Sequence, residues 1–214
     1  MFARALVVLT GIAALAPSAG AQVPGAPVLQ NAFSNPGLAV AADFGGGGGQ
    51  SFYGAAAALG MGRLQISGAA GAQRGNGTTR GAYGARLAAS LWSSAGHALG
   101  VGAFAGIGGA PRAELAGVVA NPATVIVPVG ISLGYQRPIG ASRGVSVYAS
   151  PLYRWVRTDN GVVSSAGSMR LSLGLDFALT QSIGATLGSE LGRGNGASGA
   201  STMGFALTFV PGRR

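Results

Sequence analysis

The chain has 214 residues, with no cysteine, no lysine, 14 arginines and 5 acidic residues, so its formal net charge of +9 comes from arginine alone. The missing cysteines exclude thiol catalysis, thiolate metal sites and a disulfide framework. The arginines stand singly rather than in clusters, which points to anionic lipid headgroups and away from nucleic acid.

Residues 1–21 read as a signal peptide: Arg4 supplies the positive start, 5–16 an apolar run, and Ala19-Gly20-Ala21 a small-residue cleavage pattern before Gln22. Residues 22–35, Pro-rich and aperiodic, read as a periplasmic lead-in, and 36–214 as one barrel domain. Only 9% of residues are charged and mean hydropathy is +0.42. Even so, no apolar run after residue 22 reaches the roughly 20 residues of a spanning helix. In lipid every backbone polar group must be paired internally, which leaves a closed barrel of strands.

Beyond Pro36, apolar and small or polar residues alternate with period two. In the clearest stretch, Leu171, Leu173, Leu175, Phe177 and Leu179 share one face, opposite Arg170, Ser172, Gly174, Asp176 and Ala178. Repeating this reading predicts ten strands, near 36–44, 50–60, 63–73, 79–92, 97–108, 123–136, 143–156, 168–179, 181–191 and 200–210. Alternate connections come out long (5, 5, 14, 11 and 8 residues) and short (2, 4, 6 and 1). Short periplasmic turns alternating with longer outer loops are what an up-and-down barrel requires, and the pattern puts both termini on the periplasmic side. The 14-residue connection leaves room for a short helical turn opened by Pro111, while Pro128 and Pro151 should mark bulges or strand ends.

An arginine facing lipid at mid-bilayer costs about 2–4 kcal/mol, so strand charges should share the parity of the small residues. Asp43, Arg86, Arg154, Arg170, Asp176 and Glu190 all do. With β-strand one running outward, Asp43, Arg154, Arg170 and Glu190 fall in the outer half of the lumen, where they could form one ion-pair network. That network reads as an internal plug or as a charge-selective constriction.

Together these features resemble small bacterial outer-membrane β-barrels of the porin-like kind, over residues 36–210. The resemblance implies an all-β, closed antiparallel transmembrane barrel of about ten strands, eight being the alternative. It also implies outer-membrane lipids, periplasmic chaperones and a barrel-assembly machinery as partners. Met203, Phe205, Leu207 and Phe209 look like the terminal strand that such machinery reads, although Val210 to Arg214 follow. Aromatic girdles are the family's other mark, with candidates Phe44, Tyr53, Trp92, Tyr135, Tyr153, Trp155 and Phe209.

Motifs with catalytic overtones are weak. Gly130-Ile131-Ser132-Leu133-Gly134 has the letters of a nucleophile elbow but lies in a strand pattern, and the single histidine, His97, precedes it. Gly100 to Ala105 and Gly45 to Gly49 lack the helix, acid or lysine that phosphate sites need, and one histidine cannot build a histidine metal site. No catalytic residue, cofactor or metal is therefore expected. The leading expectation is an outer-membrane barrel with a structural or weak porin-like role. The alternatives are a soluble secreted β-protein that binds an apolar ligand and an outer-membrane enzyme acting on lipid or peptide.

Overall fold

The computed structural model describes residues 23–24, 26–34, 36–139, 143–192 and 200–211. The expected signal peptide lies outside them. Ten strands close into one antiparallel barrel: β1 (Gly37–Gly47), β2 (Gln50–Met61), β3 (Leu64–Gly75), β4 (Thr78–Ser93), β5 (Leu99–Ala110), β8 (Ala123–Pro138), β9 (Gly144–Asp159), β10 (Val163–Ala178), β11 (Ile183–Gly192) and β12 (Thr202–Phe209). Each strand pairs with the next of these ten in chain order, and β1 closes on β12 from Val40 opposite Phe209 to Gly46 opposite Met203. No edge is left unpaired, as hydrocarbon demands.

We call the end where β1 starts the base and the opposite end the rim. The base carries the connections after β2, β4, β8 and β10; the rim carries those after β1, β3, β5, β9 and β11. Three rim connections are tighter than the sequence implied: two-residue turns at Gly48-Gly49 and Asn76-Gly77, and a three-residue turn, 160–162, between β9 and β10 where eleven residues were expected. Asn76 (φ 48°) and Gly77 (φ 75°) take the left-handed pair that a type I′ hairpin requires, so the strands run further than the alternation alone suggested. Between β5 and β8, where a helical turn was expected, stands a small hairpin of β6 (Ala113–Leu115) and β7 (Val118–Asn121). Ala116 (φ 52°) and Gly117 (φ 78°) make its turn.

The two prolines neither bulge nor end their strands. Pairing of β5 with β8 lapses between Ala105 opposite Val129 and Gly108 opposite Ile126, then resumes in the same register. Pairing of β8 with β9 lapses likewise between Gly130 opposite Leu152 and Leu133 opposite Ala149. Pro128 and Pro151 sit in these gaps, since neither has an N–H to donate.

Side chains sort as the alternation predicts. Leu38, Val40, Ile66, Leu87, Ile131, Leu133, Leu171, Leu173, Leu187 and Leu207 are exposed on the outside, while Asp43, Gln65, Arg86, Ser132, Ser150, Arg154, Arg170, Ser172, Asp176 and Glu190 are buried inside. The apolar rows therefore face outward and do not meet a second sheet, the arrangement that a soluble sandwich would have needed.

The interior holds the main departure from expectation. Residues 23–34, read as a lead-in outside the barrel, run through the lumen from rim to base. Val23 and Pro24 lie at the rim, Pro24 beside Gln50 and Asn76. Val28 is fully buried among Ala88, Phe104 and Leu152, and Ser34 donates from Oγ to the Gly62 carbonyl at the base (2.9 Å). The chain thus crosses the barrel once before β1 begins, so residue 23 and the end of β12 lie at opposite ends.

Candidate functional site

The lumen strap is held by inward side chains of four consecutive strands. Ser150, Ser172 and Glu190 lie directly opposite one another across β9, β10 and β11, and Ser132 on β8 continues the row through a 2.9 Å hydroxyl contact from Ser150. This row meets the strap's backbone. The Val28 N–H donates to Glu190 Oε2 (2.9 Å), and the Val28 carbonyl accepts from Ser172 Oγ. The Gln30 carbonyl accepts from Ser150 Oγ (2.8 Å) and Ser132 Oγ (3.1 Å). An extended segment in a closed barrel has no strand neighbour, and its buried N–H and C=O groups must find side-chain partners. The serine row supplies them.

Glu190 also anchors the charges. Its Oε2 accepts from Arg154 Nη2 at 2.6 Å and its Oε1 from Arg170 Nε, with all three groups buried. A lone buried carboxylate would be costly; two guanidiniums and a backbone N–H satisfy it. Nearer the base, Asn31 Nδ2 donates to Ser146 Oγ (2.7 Å) and to Asp176 Oδ2 (2.5 Å), while Asp176 Oδ1 accepts from Thr186 Oγ1 (2.6 Å).

The six charged residues picked from the sequence are all inside, but they form three groups rather than one. Arg154, Arg170 and Glu190 make the triad, and Asp176 binds the strap through Asn31. Asp43, expected to join the triad, and Arg86 take no part in the ion pairs formed among the described residues. Glu190 and Asp176 bind the strap, contacts that could not be foreseen while residues 22–35 were placed outside.

The inward glycines have a shared use. A Cβ on Gly45 or Gly204 would press on Pro27 (3.1 and 2.6 Å), one on Gly134 on Asn31 Oδ1 (2.5 Å), and one on Gly100 on the Phe33 ring (2.6 Å); one on Gly188 would strike Leu29. At each of these positions the space a side chain would take is filled by the strap.

The remaining sequence candidates fall elsewhere. Ser132 is part of the serine row on a continuous strand, not an elbow. His97 lies in the base turn after β4 with φ 56°, its Nδ1 3.0 Å from Ser93 Oγ. That contact is exposed and joins residues four apart in one turn.

Six of the expected interface aromatics are exposed on the outside, and the seventh, Trp155, is half-buried two residues along β9 from Tyr153. Trp92, Tyr135 and Phe209 are near the base, and Phe44, Tyr53, Tyr153 and Trp155 are towards the rim. Tyr83 and Phe205, not among the girdle candidates read from the sequence, extend the rim belt. Phe205 sits directly opposite Phe44, which is itself opposite Tyr53.

No family model and no curated protein matches this chain. Among solved structures it is similar to the N-terminal β-barrel domain of Pseudomonas aeruginosa OprF, at 9% identity and a TM-score of 0.36, over 80% of this chain and 95% of that one. It is also similar to a loop L8 deletion mutant of OmpT, an outer membrane protein of Vibrio cholerae, at 12% identity and a TM-score of 0.32, over 83% and 60%. Likeness at this level assigns no role; the barrel rests on this chain's own strand pairing.

Proposed function

We propose that the chain is an integral outer-membrane barrel with its rim facing outward, closed at rest by its own strap. Its role would then be structural, with weak porin-like passage only when the strap withdraws. Support for the membrane reading comes from the two faces of the wall: exposed leucines, valines and isoleucines between two aromatic belts outside, buried arginines, acids and serines inside. In water the outer face would be a single apolar patch around the whole molecule, far beyond what soluble proteins expose. In a bilayer it meets hydrocarbon, and the aromatics meet headgroups.

The observation that carries the closed state is the strap's attachment to β8, β9, β10 and β11 through Val28, Gln30 and Asn31. Barrels of this size enclose little more than their own side chains, so an extra segment in the lumen leaves no continuous aqueous route. Planar-bilayer recording tests this. The full chain should be electrically silent or show rare brief openings, and a chain lacking residues 23–34 should conduct steadily. A full chain that conducts as steadily as the deletion would refute the proposal.

A further inference from the structure

At the rim the strap leaves a cavity of about 410 Å³, within the range of small-molecule sites. Its lining is unlike the rest of the lumen. Gln50, Gln73, Asn76 and Asn121 supply amides, Arg80 and Arg154 supply the charge, and among the described residues no carboxylate of Asp or Glu lines it.

At the cavity floor Arg154 shares the Glu190 carboxylate with Arg170. Arg154 is 8% exposed, and its Nε has no hydrogen-bond partner among the described residues. Arg80 is held at two of its three nitrogens, with Nε on Gln73 Oε1 (2.7 Å) and Nη1 on the carbonyls of Pro111 (2.8 Å) and Pro122. Those partners fix the guanidinium plane and are neutral. Two oriented guanidiniums in a confined, low-dielectric recess suit one anionic group, and the amides around them suit hydroxyls that donate and accept in turn.

We propose that this vestibule binds a small polyhydroxylated anion, a single sugar ring carrying a carboxylate or a phosphate. The anionic group sits on Arg154 and Arg80, and the ring hydroxyls bond to the amide rim. The site belongs to the rim geometry and does not depend on whether the barrel conducts.

Isothermal titration of the full chain, refolded in detergent, tests this with four probes: glucuronate, glucose 6-phosphate, glucose and inorganic phosphate. Glucuronate and glucose 6-phosphate should each bind at least tenfold more tightly than glucose, and glucose 6-phosphate at least tenfold more tightly than inorganic phosphate. Because Arg154→Gln disturbs the triad that holds the strap, Arg80→Gln is the decisive variant. It should weaken both sugar anions about tenfold while the folded band persists on an unheated gel. Equal binding of glucose would overturn the proposal, as would phosphate matching glucose 6-phosphate, an Arg80→Gln variant that binds like the parent, or no heat from any probe.

Discussion

Glu190 shows what one residue does in this lumen. It receives two guanidiniums and the Val28 N–H, so removing its charge leaves two buried cations facing each other and a backbone donor without its anion. Glu190→Gln should lower the unfolding free energy by about 3–5 kcal/mol, the usual consequence of breaking a buried pair from one side. Urea unfolding in lipid vesicles, followed by tryptophan fluorescence, measures it. The comparison is Glu114→Gln at the exposed Arg112–Glu114 pair of the small rim hairpin, where a loss of about 0–1 kcal/mol is expected. Gly134 makes the complementary case: even a Cβ there would press on Asn31, the Phe33 ring and Ala32. Gly134→Leu should therefore displace the strap rather than the wall, and bilayer recordings should show steady conductance where the parent is silent. Parity identified six of the seven buried charges of the described residues, all but Arg80, because ionised groups avoid hydrocarbon. It could not identify which charges touch, since contact depends on what else occupies the lumen.

Among the elements, the strands were the most legible part of the chain. Period-two alternation fixes which side chains face lipid, and a one-residue slip would turn every leucine of β10 inward. All ten barrel strands accordingly lie within a few residues of where Leu171 to Leu179 and its counterparts placed them. A Leu173→Arg change puts a cation on the outer face of β10, where Leu173 is 40% exposed; it should cost about 2–4 kcal/mol. The share of protein that keeps its folded mobility on unheated gels after refolding into vesicles checks this, and an unchanged share would argue against a lipid-facing β10. Elements without alternation were harder to read. The residues of β6 and β7 are too few for a period to emerge, so Pro111 suggested a helical turn where Ala116 and Gly117 make a hairpin. Pro128 and Pro151 suggested interruptions, but each costs only a local lapse in pairing because the strand pairs normally on its other side. The strap was illegible for a physical reason: an extended chain bonded to side chains of four different strands has no periodicity of its own. Its only trace in the sequence was indirect, in the excess of inward glycines that make room for it.

For the molecule as a whole, the strap turns a wall into a stopper. The barrel surrounds a segment of its own chain, and the polar interior serves chiefly to bind that segment, leaving the vestibule at the rim as the part of the lumen open to a ligand. Because the sequence contains no cysteine, an introduced pair reports on this arrangement without background. The most direct measurement is disulfide formation between Leu29→Cys and Gly188→Cys in the full chain folded in vesicles, read by mass and by labelling with a membrane-impermeant maleimide. With the strap seated where Leu29 meets Gly188, the pair should oxidise almost completely and the single Leu29→Cys variant should resist labelling until the barrel is unfolded. A Cys at position 29 that labels readily in the folded protein and does not cross-link to position 188 would show that the lumen is not filled by its own N-terminal segment.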